Sequence, residues 1–483
     1  MEPIVLIHGY SAESKDRTLK AITEIYGSLP EELRKTFGRQ AVVEIDLSRY
    51  ISLEDGITID DLSRGLDRAL HQDFPGLLNS AFHVIIHSTG ALVIRNWIRR
   101  FSPRPSPVRN LIHLAGANLG SGWAHIGKGQ IARWGRLVFQ GGTERGIQVL
   151  DALELGSNWT VDLHLHFLRP GNRMYEDYRV CEHVVIGSQA DVKWYPIPIR
   201  NAKEDGADGV VRVSASNLNF NYLRFGPTAE ARALQWREAV NYASRHRQGQ
   251  KTLPAFYELL ESSRPGAPDR PKVPFAIPYE CAHSGDRMGV VGGSAPRAQV
   301  MRLLKAALTT THENWPDLVE LFDKETAATY ERALKKKAPA WWKAWIDAPR
   351  AQYDPHAQLV FRLRDQDGRP VKHFDVFFNS LKSDQRVGLA IKNLFEDKHV
   401  NDVTPGMITF YLRTDAFDAK QKKWVPRVRQ VDGCNLEITG TEPQTDDILY
   451  LPMRFEFSTD QLVEWIQGHR TTIIDVELLR LPS

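Results

Sequence analysis

Only three cysteines, Cys181, Cys281 and Cys434, occur in the 483 residues, widely spaced and odd in number. That scarcity excludes a disulfide framework and any metal site built on paired thiols. No apolar run reaches the roughly 20 residues that a bilayer-spanning helix needs. An excess of one charge is also missing: 62 basic against 59 acidic side chains leave a formal net charge of +3, too little to attract nucleic acid by itself. Local basic clusters, Lys335-Lys336-Lys337 and Lys420-Gln421-Lys422-Lys423, have the composition of a solvated helix face or loop. The opening Met-Glu-Pro-Ile-Val-Leu-Ile-His-Gly enters a strand pattern without the basic and apolar regions of an export signal, which predicts cytoplasmic synthesis and leaves signal-independent secretion as the route to any target compartment. No internal repeat is visible. A hydrophobic fraction of 42% with 25% charged residues is that of an ordinary folded chain, and the length predicts two domains.

In the first half, short apolar runs alternate with helical patterns. Ile4–Ile7, Ala41–Ile45, Phe82–Ile86, Leu111–Leu114 and His183–Ile186 read as strands buried on both faces, the mark of a parallel sheet. Between them Thr18–Tyr26, Ile59–Leu70 and Gly90–Arg100 carry helical periodicity, so the order predicts an α/β domain with right-handed crossovers. In the last of these, Leu92, Val93, Ile94, Trp97 and Ile98 form the apolar face, while Arg95, Arg99 and Arg100 are expected to reach solvent. Asn118 to about Tyr178 breaks the cadence with Gly120, Gly122 and Gly127. An insertion there predicts a cap above the carboxyl ends of the strands, where α/β folds bind ligands, or a structural excursion. Thr309–Trp345 is helical in pattern, and after Pro349 the character turns to alternation: Leu359, Phe361 and Leu363, then Phe374, Val376 and Phe378, then Met407, Thr409 and Tyr411. Asp367-Gly368 marks a turn. The expected division is a catalytic domain over 1–305 with its cap at 118–178, a helical connection over 306–348 and a β-rich domain over 349–483. The last is a β-sandwich, or a sheet decorated by a helix over Asp460–Gln467 capped by Ser458 or Thr459.

The chemistry concentrates in Ile86-His87-Ser88-Thr89-Gly90. A serine between a buried strand and a helix, followed closely by glycine, can be turned outward as a nucleophile, with the next backbone N–H beside the reacting oxygen. Ile86 occupies the place of the usual first glycine. His8-Gly9 ends the first strand, so the N–H of Tyr10 joins that of Thr89 as the expected pair of oxyanion donors. A histidine is the expected base. His283 follows the apolar Phe275–Ala282 and comes after the candidate acids, in the chain order serine, acid, histidine. His87 is too close to Ser88 for that role and is read as packing in the turn, and His113 as a core or site-lining residue. The acid is Asp208, between Ala207 and Gly209, or Asp191, four residues beyond Gly187. His164 and His166 alternate as strand neighbours without a third ligand, and calcium at Asp286 would need further oxygen donors, so neither a metal nor a cofactor is expected.

Pro3-Ile4-Val5-Leu6-Ile7-His8-Gly9, the Ser88 turn, Asp208-Gly209-Val210-Val211 and Leu114-Ala115-Gly116-Ala117-Asn118-Leu119-Gly120-Ser121 together resemble bacterial α/β-hydrolase lipases and their phospholipase relatives. The resemblance covers residues 1–305. It implies an α/β-hydrolase with a mostly parallel sheet and a cap, hydrolysing lipid carboxylic esters, with Ser88, Asp208 and His283 as the triad and Tyr10 and Thr89 at the oxyanion hole. It implies a lipid ester or membrane surface as substrate and no nucleic acid. Some enzymes of that group are antibacterial phospholipases injected into neighbouring cells, which would add a delivery or immunity protein as partner. The same residues would serve a small-molecule carboxylesterase or amidase, and an inactive binding protein could keep the fold without turnover.

Overall fold

The computed structural model describes residues 2–7, 22, 25–51, 56–122, 147–189, 204–250, 253–284, 289–292, 296–336, 350–381 and 389–483. Two units result: the first holds residues 1–218 and 268–353, the second 219–267 and 354–483.

In the first unit β1 (Ile4–Ile7), β2 (Val42–Ile45), β3 (Phe82–His87), β4 (Val108–Leu114), β5 (Cys181–Val185) and the two-residue β8 (Phe275–Ala276) form one sheet in the order β2-β1-β3-β4-β5-β8. Every neighbouring pair is parallel, as the mostly apolar runs within strands covered on both faces suggest. Helices α1 (Leu29–Phe37), α2 (Ile59–Gln72) and α3 (Gly90–Arg100) connect the early strands. The start of α2 is fixed by a capping box in which Thr58 and Asp61 exchange side-chain and backbone bonds, satisfying N–H groups that the first helical turn leaves open. The insertion between β4 and β5 carries α4 (Ile147–Leu153) and α5 (Asn158–His166) as its described part. His164 and His166 therefore sit on a helix opened by the Ser157 cap, which corrects the strand spacing read from their alternation. Most of the expected helix at 18–26 falls outside the described residues. The short α6 (Val213–Ser216) follows the Asp208 turn.

The helical region after 297 is not a connector. The described α8 (Ala298–Leu308) and α9 (Leu318–Lys335) bring Leu303, Leu304 and Phe322 into one core with Ile4, Leu6, Ile85, Ile112 and Val185, because their apolar faces have a sheet face to cover.

The second unit starts earlier than the alternation suggests. Here β6 (Asn221–Pro227) and β7 (Tyr257–Ser263), separated by α7 (Trp236–Arg247), join β9 (His356–Asp365), β11 (Phe395–Val400), β12 (Met407–Arg413) and β18 (Thr471–Leu478) in a mixed sheet ordered β11-β12-β9-β18-β6-β7. The assignment of 219–267 to the catalytic domain is thus corrected. Asn221 registers with Thr472 in parallel with β18, and Leu223 and Phe225 enter the same core as Leu359 and Phe361. A second sheet, β10 (His373–Ser380), β15 (Cys434–Thr441) and β17 (Met453–Phe457), adds Leu436, Ile438 and Met453 to that core. Two small pairs, β13 (Asp415–Asp418) with β14 (Lys423–Pro426) and β16 (Ile448–Tyr450) with β19 (Arg480–Pro482), complete the described strands. Helix α10 (Thr459–Trp465) is capped by Ser458 rather than Thr459, through a box with Gln461. Residues of the mixed sheet and of the β10-β15-β17 sheet share one core, with α10 beside it.

Arg95 departs from the amphipathic reading of α3. Only 3% of it is exposed; its guanidinium bonds the Glu182 carboxylate on β5 and lies 4.7 Å over the Phe167 ring. The same carboxylate oxygen takes a bond from His113 Nε2 at 3.2 Å. Burial pushes the Glu182 pKa up, but the Arg95 charge and the His113 bond outweigh it and hold the group at about 2. Glu182 sits on a strand paired on both sides, so the ion pair ties the helix after Ser88 to the sheet.

Removing one partner of a buried pair leaves the other without compensation, at a cost of about 3–5 kcal/mol. Glu182→Gln should therefore lower the stability measured by urea unfolding at neutral pH by about 3 kcal/mol. The depressed folded-state pKa means that the ionised form stabilises the parent fully above the unfolded value of about 4.3. The difference between parent and variant should shrink as pH falls from there towards the folded value of about 2, and a difference independent of pH across that window would refute the ionic account.

Candidate active site

Ser88 follows β3 directly and has φ 53°, a left-handed conformation that a side-chain-bearing residue adopts at a cost. The turn is clamped on both sides. Ser88 N–H donates to the Leu114 carbonyl at 3.2 Å, and the Ser88 carbonyl accepts from Ala91 and Ala117, each at 3.2 Å. The chain therefore passes from β3 into α3 through Ser88 and Thr89 alone. Ile86, in the motif position where glycine is usual, causes no conflict: it is a buried strand residue, paired with Ile7 on β1 and His113 on β4. The order β2-β1-β3 places Ser88 where the strand order reverses, at the carboxyl ends where open α/β sheets bind ligands.

His283 comes from the segment after β8. Its Nε2 lies 3.2 Å from Ser88 Oγ, and its Nδ1 lies 2.9 Å from Asp208 Oδ2. A carboxylate only accepts, so Nδ1 carries the proton and Nε2 presents its lone pair to the serine hydroxyl. The backbone repeats the link, since His283 N–H donates to the Asp208 carbonyl at 2.9 Å.

Asp208 is 0% exposed. Its other oxygen, Oδ1, accepts from the N–H groups of Val210 at 3.0 Å and Val211 at 2.7 Å. Gly209 makes this possible with φ 97°, a value that lets the chain fold back onto its own side chain. Gln352 steadies the turn from outside, donating through Nε2 to the carbonyls of Glu204 at 2.7 Å and Ala207 at 3.1 Å. Burial of a carboxylate is tolerated only where its oxygens are engaged, and here donors converge on both.

The structure thus brings Ser88, His283 and Asp208 into one hydrogen-bonded relay. Thr89 is at the entrance of α3, where the first backbone N–H groups of a helix have no partner within it. Tyr10 and Asp191 lie outside the described residues, as does Asp286. Chemically, a serine hydroxyl bonded to a histidine that is itself held by a carboxylate can attack an electrophilic carbon while handing its proton to Nε2.

One neighbour departs from its sequence reading. His87 is more than filling in the turn: its Nε2 is 3.2 Å from the His283 carbonyl, and the two rings are 4.7 Å apart at 49°. Burial lowers its pKa to about 3, helped by the adjacent His283. Its place next to Ser88 gives no local signal of a partner 196 residues away.

Gly187, just past β5, has a different role from the turn glycines. A Cβ there would stand 1.9 Å from the carbonyl oxygen of Cys281, close in sequence to His283. Gly187→Ala should displace that segment and lower stability by about 1–3 kcal/mol, the cost of forcing extra bulk into a packed site. Urea unfolding of parent and variant checks this, and parental stability in the variant would show that the segment yields without strain.

No family model and no curated protein sequence matches the chain. Among solved structures, it resembles the phospholipase PlaB from Legionella pneumophila, with 22% identity and a TM-score of 0.74 over 99% of this chain and 94% of that one. The same phospholipase in complex with thio-NAD gives 21% identity and a TM-score of 0.74 over the same shares. The chain has an α/β-hydrolase core with a helical cap and a distinct, mainly β region, a fold it shares with that bacterial phospholipase over nearly its whole length.

Proposed function

We propose that the chain is a serine hydrolase that cleaves lipid carboxylic esters through an acyl-enzyme on Ser88. The observation that carries this reading is the unbroken relay from Ser88 Oγ through His283, at 3.2 Å and 2.9 Å, to Asp208. Ser88 Oγ attacks the ester carbonyl carbon as its proton passes to His283 Nε2. Negative charge collects on the former carbonyl oxygen, for which the N–H of Thr89 is the proposed donor, with Tyr10, outside the described residues, as the second donor the sequence assigns. Collapse breaks the bond to the alkoxy oxygen, which leaves with the proton from Nε2. Water then repeats the sequence on the acyl-enzyme, giving its proton to Nε2 and releasing the carboxylic acid from Ser88. Asp208 stays ionised throughout, orienting the ring and offsetting the imidazolium charge.

Support for a lipid as the substrate comes from the fold shared with a phospholipase over 99% of the chain. The substrate would be met at a membrane or aggregate surface, and signal-independent secretion would carry the chain to one outside its cell of synthesis.

Ser88→Ala should lower kcat by about 10⁶-fold, the scale of nucleophile loss in a triad. Asp208→Asn should lower it by about 10⁴-fold by removing the charge that sets the tautomer. Both are measured on purified protein whose folding is checked by circular dichroism, with phosphatidylcholine vesicles and a short-chain p-nitrophenyl ester as substrates. A higher kcat/KM on vesicles is expected. Preference for the soluble ester would move the assignment to a small-molecule carboxylesterase, and undiminished turnover by Ser88→Ala would remove Ser88 from the reaction.

A further inference from the structure

We propose that His87 is a positioning residue that registers the base against the nucleophile, through a bond from its ring to the backbone of His283. The inference rests on the reading of Ser88 and His283 given above and goes beyond it by assigning a fourth side chain.

The segment that delivers His283 is short, and each of its residues is tethered. The Cys281 carbonyl accepts from Gln189 N–H at 3.1 Å, the Ala282 carbonyl from Val290 N–H at 3.2 Å, and His283 N–H donates to the Asp208 carbonyl at 2.9 Å. These three backbone anchors lead to segments outside the strands or to the acid turn. A fourth, the His283 carbonyl, is held by His87 Nε2 at 3.2 Å. His87 is the last residue of β3 and is covalently joined to Ser88. It therefore connects the nucleophile's strand to the base's segment with one hydrogen bond, made by the residue before the nucleophile to the backbone of the base.

The chemistry of the contact fixes the state of the ring. A carbonyl oxygen only accepts, so His87 Nε2 bears the proton. The ring is 7% exposed and lies 4.7 Å from the His283 ring at a tilt of 49°. At that separation a charged His87 would oppose the imidazolium that forms on His283 during acyl transfer. Burial keeps it neutral, so the ring supports the base without competing for its proton. Proton transfer requires Oγ and Nε2 to stay within about 2.6–3.2 Å, and the resting 3.2 Å is at the long end of that range. Loss of the anchor then acts directly on the proton-transfer distance, and substrate binding is untouched.

Three substitutions separate the donor from the ring. His87→Gln carries an amide nitrogen near the place of Nε2; His87→Phe keeps the ring and loses the donor; the side chain in His87→Asn is too short to reach. Each is compared with the parent and with Ser88→Ala in two assays: turnover of phosphatidylcholine vesicles, and the rate at which a fluorophosphonate labels the protein. His87→Phe and His87→Asn should reduce kcat and the labelling rate by about 10²-fold, the cost of a displacement of about 1 Å, with KM within about twofold. His87→Gln should restore both rates to within about tenfold of the parent.

If Ser88→Ala turns over like the parent, the reading of the site fails and this inference fails with it. If Ser88→Ala is inactive while His87→Phe and His87→Asn keep the parental kcat, only the role of His87 is overturned. A rise in KM at constant kcat would make His87 a wall of the substrate site and overturn it too. Equal losses in all three folded variants would assign the effect to the ring rather than the donor and overturn the anchor. Should His87→Phe not fold, the contrast between His87→Gln and His87→Asn decides, and failure of all three to fold would make His87 a structural residue only.

Discussion

A carboxylate sealed from water is the constraint around which the site is built. Asp208 has no exposed surface, and a charge in that position must be met by donors. Val210 and Val211 amides serve one oxygen and His283 the other. The first two need the chain to curl back through Gly209, and the third needs a segment 75 residues later to return to the turn. Once these are satisfied, the histidine tautomer is no longer free. The lone pair on Nε2 that faces Ser88 follows from where the acid's charge is buried.

The same logic operates beneath the serine. Arg95 and Glu182 form a second buried charged pair, on the helix that follows the turn and on a strand of the sheet. With Phe167 under the guanidinium and His113 on the carboxylate, it makes α3 part of the sheet. A strained residue such as Ser88 persists only where its surroundings over-determine it, and the clamps from Leu114, Ala91 and Ala117 do so on a base that cannot slide.

What can be read in the chain depends on how local each signal is. The strands β1, β3, β4 and β5 each hold a short, largely apolar run, and Ser88 lies at the point where one such run gives way to a glycine and a helical period. Asp208 differs from Asp191 in its small neighbours, and those neighbours supply the turn that Oδ1 uses. The departures at Arg95 and His87 come from long-range partners, whereas those at His164 and His166 are local, their two-residue spacing falling on a helix. Arg95 reads as solvent-facing because its partner is 87 residues away, and His87 reads as filler because its acceptor is 196 residues away. Residues 219–267 carry strands that look like any others in the first half. Only pairings such as that of Asn221 with Thr472 separate them from the sheet that carries Ser88, and hydrophobic period contains no information about partners. The region 306–335 reads as helix in either setting, and the choice between linker and core depends on Phe322 meeting the sheet.

The excursion of the chain into the second unit has a consequence for synthesis. Ser88 and Asp208 are made before the chain departs at residue 219, and His283 only after it returns at 268. A nascent chain that has emerged as far as residue 218 therefore holds Ser88 and Asp208 without the histidine that bonds both. The antiparallel pair of β6 and β7, made in that interval, has as its inner neighbour β18 at Thr471–Leu478. At about 5–20 residues per second, that strand edge waits roughly 10–40 s for its partner. Ser88, Asp208 and His283 are thus all in the chain well before the mixed sheet can close, and until then the inner edge of β6 has no strand to pair with.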